Sequence, residues 1–541
     1  HGRTDFGSCV EIYRGVVKGR KMKQFTKEIS AFMREKCWSM LITFLAVVMC
    51  YGKHAFSTNI DIDTEELILR GTSNMDGWLQ IGRFGGYYSK KFTGGMWHNP
   101  YFNGALFLLL FSLGIFLLMF LFWRIEHDYP VLLFGLLYSV SAIWCFSIYF
   151  AMLQVELTIG LLCAIVALHV LYDGLTQCRH KGVIVAEFVL SLPLLVWAFA
   201  SYQAVLVFYL VAGVGMYVTY YRAQIDKEQT NLKRNLLQIV FLLVHFVIGY
   251  GFYSLISKKF FSGSTYLTSQ ISWGQNPFFD VVKNILRVVK ATYFNDILKL
   301  KGLLLPLFAL ILVDIIFVWI KPGKISAKIL YMFLQAGLVW SPFALIVYVG
   351  GDMPYRTKFA LALYIAFTGM YLYRNICAFI GRPVVNTIAK SVLMVAICVC
   401  AFQQASVNLR LWYTDDICNE QNKIVAENIY DHISGLGFGE SPEVQVAILG
   451  NKQVNLNPAC MSGIEMFGIS NFRWDYSSPT GSMIRTQMYL RAYTGIDYHG
   501  ISSENVAYAI EKGKDMPMYP ADGYVKYDAE KNLILVKLSD Y

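Results

Sequence analysis

From about residue 38 to residue 408, long apolar runs alternate with short polar stretches, and beyond that the chain breaks into short segments of mixed period. A helix needs about 20 apolar residues to cross a hydrocarbon core of about 30 Å. By that rule about eleven segments are candidate spans, near 38–56, 103–123, 130–150, 153–172, 183–200, 203–221, 236–256, 302–320, 329–349, 359–376 and 387–407. The runs 130–172 and 183–221 are each too long for one crossing. Each contains a polar break, Gln154 with Glu156 in the first and Ser201-Tyr202-Gln203 in the second, which predicts two helical hairpins. Unbroken runs such as Ala105 to Trp123 exclude a transmembrane β-barrel, whose strands alternate apolar and polar positions.

Three segments outside the spans carry patterns of their own. Residues 57–102 begin with acids and continue with aromatics (Trp78, Phe84, Tyr87, Tyr88, Phe92, Trp97). Within 257–301, Phe278, Val281, Val282, Ile285, Val288 and Val289 recur at helical spacing with Lys283, Arg287 and Lys290 between them, as in a helix lying flat in the membrane interface. The tail from residue 409 shows a helix with Ile417, Ile424, Val425, Ile429 and Ile433 in phase before Gly435, then an alternating strand from Val444 to Leu449 and a hairpin from Gly523 to Leu538. Three regions are therefore expected: an N-terminal segment 1–37, a transmembrane domain 38–408, and a small α/β domain 409–541 of ordinary domain size.

Composition agrees with this pattern. Only 16% of the 541 residues are charged and 56% are hydrophobic, whereas a soluble chain carries roughly a quarter charged residues. The net charge of +10 has no basic block interleaved with aromatics, so it argues against nucleic acid and for an orienting loop bias. With the N-terminus cytoplasmic, the inner loops hold Arg179 and Lys181, then Arg222, Lys227, Lys233 and Arg234, then Lys321, Lys324 and Lys328, then Arg374 and Arg382. The opposite turns near 154, 202 and 352 are poorer in basic residues. An odd number of spans then places the tail outside a plasma membrane. The first residues, starting with His and basic up to Met22, read as a tag remnant, and the first apolar run reads as an uncleaved signal anchor.

Of eleven cysteines, only Cys418 and Cys460 fall in the tail, where an oxidising space would allow a disulfide that spacing alone does not establish. His169 and His245 lie within spans, where a polar group satisfied by a neighbouring helix is the plainer reading than a ligand or relay. Gly435-Leu436-Gly437-Phe438-Gly439 neither follows a strand nor ends in Lys-Ser/Thr, so it is the loop closing a helix and not a phosphate cradle.

Two clusters can carry chemistry. Asn59-Ile60-Asp61-Ile62-Asp63-Thr64-Glu65-Glu66 follows the first span; a carboxylate held near lipid has a raised pKa and can take a proton from a sugar hydroxyl. The alternative is a solvated loop in which Asp63 caps a helix. Beside it in sequence stand Trp78 and Gly82-Arg83-Phe84-Gly85-Gly86, glycines that allow close approach and aromatics of the kind that stack on a pyranose ring. The second cluster is Gly350-Gly351-Asp352-Met353-Pro354-Tyr355-Arg356-Thr357-Lys358, where Arg356 and Lys358 at membrane depth call for an anion or the headgroup zone. Arginine can grip a phosphate through paired hydrogen bonds.

The order of Asp63-Thr64-Glu65, Trp78, Gly82-Arg83-Phe84-Gly85, Ser201-Tyr202-Gln203, Met353-Pro354-Tyr355-Arg356, Phe472-Arg473-Trp474-Asp475, Ile484-Arg485 and Lys537-Leu538-Ser539 resembles the GtrII family of membrane glucosyltransferases in the GT-C superfamily. Those bacterial enzymes are associated with O-antigen serotype conversion. The resemblance implies a GT-C-like helical membrane fold, a polyprenyl-phosphate-linked sugar as donor, glucose as the hexose moved, and a cell-surface glycan or cell-wall polymer as acceptor. It also implies an acidic base in the first outer loop, matched by Asp63 with Glu65 or Asp61 as alternates. Arg356 and Arg83 would neutralise the leaving phosphate, with Lys358 beside them, and Trp78, Tyr87, Tyr202 and Gln203 would line the sugar or lipid pocket. No cofactor is required, although an Asp61-Ile62-Asp63 pair could hold a divalent ion as in some GT-C relatives. The competing class is a polytopic transporter or lipid-linked-sugar flippase, against which stand the absence of an internal repeat and the large acidic outer loop.

Overall fold

The computed structural model describes residues 6–71, 75–176, 181–261, 269–380, 383–439, 443–461, 463–475 and 478–540. The start of the N-terminal stretch read as a tag, residues 1–5, and the inner-loop cations Arg179 and Arg382 lie outside them. Nine helices among the described residues are long and apolar enough to cross a membrane: Gln24–Ala55, Pro100–Ile125, Gln154–Thr176, Gly182–Ser201, Val205–Asp226, Leu232–Phe260, Lys301–Ile320, Ile325–Val349 and Pro383–Gly435. They coincide with nine of the expected spans.

Of the other two expected spans, one is broken and the other is a buried helix less apolar than the nine. Residues 130–150 form two short helices, Val131–Ser139 and Ile143–Ile148, rather than one. The side chain of Gln404 bridges the break, accepting from the Ala142 amide at 3.2 Å and donating to the Leu298 carbonyl at 2.8 Å. The break is buried in protein on all sides, the condition under which non-helical backbone survives at membrane depth. Residues 359–376 form a 20-residue helix, Ala360–Phe379, whose positions from Phe359 to Leu372 are all buried. A helix enclosed by other helices carries Tyr364, Tyr371, Arg374 and Asn375 without exposing them to lipid, so its hydropathy understates its position.

Elsewhere the pattern translates directly. The helices of the 183–221 pair meet at Tyr202–Ala204, and Phe278–Tyr293 buries Val281, Ile285 and Val288 while exposing Phe278 and Phe279. His169 contacts the Leu117 carbonyl at 3.0 Å, and His245 contacts Ser191 Oγ at 2.8 Å and the Tyr209 hydroxyl at 3.0 Å, so both histidines are satisfied by neighbouring helices.

The last long helix runs unbroken from Pro383 to Gly435, through residue 408 where the apolar pattern ends. Beyond it stands a four-stranded sheet of order β2-β1-β4-β3, with β1 Gln445–Leu449, β2 His499–Gly500, β3 Val525–Asp528 and β4 Leu533–Lys537. β1 and β4 are parallel, so the chain must cross over between them, while β3 and β4 form the antiparallel hairpin expected near 523–538. One face of the sheet packs on Val425, Ala426, Ile429 and Ile433 of the long helix together with Ile60 from the segment after the first span. The first loop and the tail therefore share one core. Cys418 and Cys460 are free thiols.

Candidate functional site

The first span ends at Ala55, and the chain then runs to Asp63, whose φ of 69° is in the left-handed region that a non-glycine residue adopts at a cost. Asp63 occupies the N-cap position of Thr64–Arg70 yet makes no capping hydrogen bond. Its carboxylate is claimed by Arg485, on the tail helix Pro479–Thr494. Arg485 Nη1 donates to Asp63 Oδ1 at 2.7 Å and to Glu65 Oε1 at 2.6 Å, and its Nε donates to Asp475 Oδ2 at 3.3 Å. The two loop acids differ sharply in exposure, 35% for the Asp63 side chain against 2% for Glu65. Burial pushes the Glu65 carboxyl up to about 7, although Arg485 pulls it down, and its Oε2 has no partner among the described residues.

Asp61 faces a different set of residues. It packs against His54 from the last turn of the first helix and Asp415 from the Pro383–Gly435 helix. His54 Nδ1 lies 4.0 Å from Asp61 Oδ2, and one ligand-type atom from each of the three residues falls within 4.8 Å of the others. Asp61 accepts from Asn419 Nδ2 at 3.3 Å and is hydrogen-bonded to the Asp415 carboxyl. Burial pushes Asp61 up to about 7 against the pull of those two bonds. The His54 ring stacks on Trp412, with centroids 3.9 Å apart. Asp61 and Asp63 are thus not a two-carboxylate clamp, since their side chains serve separate groups.

Arg83 forms a third group with Tyr202, Gln203 and Trp78. Its Nε donates to Gln203 Oε1 at 3.2 Å, and its guanidinium carbon lies 4.7 Å from the Tyr202 ring centroid and 6.0 Å from that of Trp78. Gln203 is fixed in turn by donating to the Ile81 carbonyl at 2.7 Å and to the Tyr253 hydroxyl at 3.1 Å. The glycines around Arg83 serve the protein's own packing. A Cβ on Gly85 would fall 2.7 Å from the Trp197 carbonyl oxygen, so glycine lets the Phe84–Thr93 helix lie against the end of Lys181–Ser201. Tyr87, one turn further on, packs edge-on against Tyr88. On the same short helix, Lys90 is buried with Glu156 in an ion pair of 2.9 Å.

The turn at 350–358 is backed by the tail as well. Glu465 accepts from the Tyr355 amide, and burial pushes its carboxyl up while that bond and the neighbouring Arg356 and Lys358 pull it down. Lys358 is paired with Asp352 at 2.6 Å. Arg356 makes no ion pair among the described residues, and its guanidinium carbon lies 5.5 Å from the Phe150 ring centroid. The adjacent Tyr149 ring is stacked on His54, with centroids 6.4 Å apart, so Arg356 and the His54 group flank the same 149–150 segment.

Sequence reasoning placed Asp61, Asp63, Glu65, Arg83, Tyr202, Gln203, Trp78, Tyr87, Arg356 and Lys358 in one site. The structure brings Arg83, Tyr202, Gln203 and Trp78 together, and divides the acids between Arg485 and the His54–Asp415 group. His54, Asp415 and Glu465 were missed, and Arg485 was noted only within a motif. The one available signal was Asp415-Asp416, a charged pair just past the last apolar run.

A bundle of long apolar helices, carrying acids and arginines on loops held by a tail, defines a polytopic membrane protein with a polar site at one end. The model of the glucosyl transferase GtrII family matches residues 29–373, more than half of the chain, and the protein belongs to that family. It is accordingly a glycosyltransferase. No curated protein and no solved structure matches it. Asp415, Glu465 and Arg485 all lie beyond the matched residues.

Proposed function

We propose that the protein moves a glucosyl group from a polyprenyl-phosphate carrier to a cell-surface glycan on the outer face of the plasma membrane. The observation that carries this reading is the Arg485 clamp, which holds one acid of the first loop in water and its neighbour in the interior. A base must touch the acceptor hydroxyl, and of the three candidates Asp61, Asp63 and Glu65 it is Asp63 that has substantial exposure, while Asp61 and Glu65 are 3% and 2% exposed. Asp63 takes the proton of the acceptor hydroxyl, the hydroxyl oxygen bonds to the anomeric carbon, and the bond from that carbon to the carrier phosphate breaks in a single displacement. The phosphate leaves with the electron pair and is received by Arg356, with Lys358 and Arg83 adding positive charge. Trp78, Tyr87, Tyr202 and Gln203 line the path of the sugar or lipid. Such a donor carries its own leaving group, so no nucleotide is needed.

The contacts of Arg485 with Asp63 and of Glu465 with Tyr355 put the tail, the first loop and the 350–358 turn on one side of the bundle. The loop bias supports a cytoplasmic N-terminus, and on that assignment this side is extracytoplasmic. Purified protein is incubated with radiolabelled polyprenyl-phosphate glucose and release of the lipid phosphate is followed. Turnover by wild type and none by Asp63→Asn supports the reading; full activity in Asp63→Asn sinks the base assignment.

A further inference from the structure

We infer that His54, Asp61 and Asp415 bind one divalent cation on the tail side of the first span. The donor set is one imidazole nitrogen and two carboxylates, which suits a cation that accepts mixed nitrogen and oxygen ligands, such as Mn2+.

Four observations carry this. First, the remote nitrogen is engaged. His54 Nε2 lies 3.2 Å from the Ile148 carbonyl and 3.3 Å from Gln154 Nε2, and these groups hold the ring with Nδ1 turned toward the acids. A backbone carbonyl at the remote nitrogen is a usual support for a metal-binding histidine. Second, Nδ1 has no hydrogen-bond partner among the described residues although the side chain is only 4% exposed, and it faces the Asp61 carboxyl group. Two carboxyl groups and an imidazole nitrogen converging in the interior call for a positive charge between them. Third, no lysine or arginine among the described residues supplies that charge: Lys53 pairs with Asp416, and Arg485 pairs with Asp63, Glu65 and Asp475. Fourth, the surroundings are built. Asn419 orients Asp61 through Nδ2 while its buried Oδ1 lacks a partner among the described residues, and Trp412 covers one face of the imidazole.

The 4.0 Å between Nδ1 and Asp61 Oδ2 exceeds the roughly 3 Å between adjacent ligand atoms of an ion with bonds of about 2.1 Å. Binding therefore draws the three side chains inward by about 1 Å. Three protein ligands leave positions open, and on the donor reading proposed above these take phosphate oxygens, with Arg356 across the 149–150 segment. That last step rests on the donor reading, whereas the site does not.

The full chain is stripped with EDTA in detergent and titrated with Mn2+, and the loss of the free-ion EPR signal is read. One ion per chain is expected for wild type, with affinity reduced about tenfold or more in His54→Gln and in Asp415→Asn. Asp416→Asn is expected to bind as wild type does. Melting curves show whether each variant is folded, and if Asp415→Asn is not, His54→Gln decides. Wild type that binds no Mn2+ up to about millimolar concentration, or equal affinity in folded His54→Gln, overturns the site. Asp63→Asn separates the two proposals: it binds the ion normally and loses transfer. Ion binding by a wild type that never turns over the polyprenyl-phosphate donor leaves the site standing and removes the donor reading.

Discussion

Asp63 and Glu65 share one guanidinium but differ in exposure, and that difference sets what each can do. Replacing Asp63 by Asn keeps the hydrogen bond to Arg485 while removing the base. The expected outcome is a fall in kcat of about 10²- to 10⁴-fold with an unchanged melting temperature. Glu65 has a folded-state pKa of about 7, above the ordinary value of 4.5. The folded chain then holds more protons than the unfolded chain between those values, so this group's stabilising contribution is present below pH 4.5 and is lost as pH rises through 7. Glu65→Gln does not titrate. The melting temperature of wild type relative to Glu65→Gln should decline from about pH 5 to about pH 7 and then level off, with a total effect of at most about 3 kcal/mol. A difference that is flat across this range would contradict the assignment.

Among the elements, the break between Val131–Ser139 and Ile143–Ile148 is held by two side chains, Tyr51, whose hydroxyl donates to the Ser141 carbonyl at 3.1 Å, and Gln404. Gln404→Leu leaves the Ala142 amide and the Leu298 carbonyl unpaired in the interior, and each orphaned group costs about 1–3 kcal/mol. A clearly lowered melting temperature in detergent is expected, and wild-type stability would show that another group satisfies the break. The Pro479–Thr494 helix brings Arg485 to the first loop. Arg485→Met removes the partner of two loop acids, and breaking a buried pair costs about 3 kcal/mol or more. Limited proteolysis should then cut faster between residues 56 and 71, with a lower kcat. Unchanged cleavage would mean that the shared core around Ile60 alone holds the loop.

For the whole molecule, the tail, the first loop and the 350–358 turn stand or fall together, because the tail contributes Arg485 to one and Glu465 to the other. Their common side is testable in intact cells. Protease added from outside, or a membrane-impermeant thiol reagent directed at a cysteine introduced at exposed Glu504, should reach the tail. Modification only after lysis would reverse the orientation and remove the outer-face donor from consideration.

Much of the architecture was legible along the chain because crossing a bilayer requires about 20 apolar residues in sequence, a local property. That rule located the nine long helices, and period-two and in-phase patterns located β1, the β3–β4 hairpin and the helix ending at Gly435. It misjudged residues 130–150, which are broken into two helices enclosed by protein, where neighbouring side chains replace lipid as the solvent, whereas 359–376 is helical as expected. The acids after the first span, Arg83 with Gln203, and Arg356 were visible as exceptions in a charge-poor chain. Which acid does what was not visible, since exposure and ion pairing depend on groups brought from residues 415–485. Sequence determined that this is a membrane glycosyltransferase with an acidic first loop. Only the tertiary structure set Asp63 against Arg485 and Asp61 against His54 and Asp415, because burial and through-space charge are properties of the packed chain.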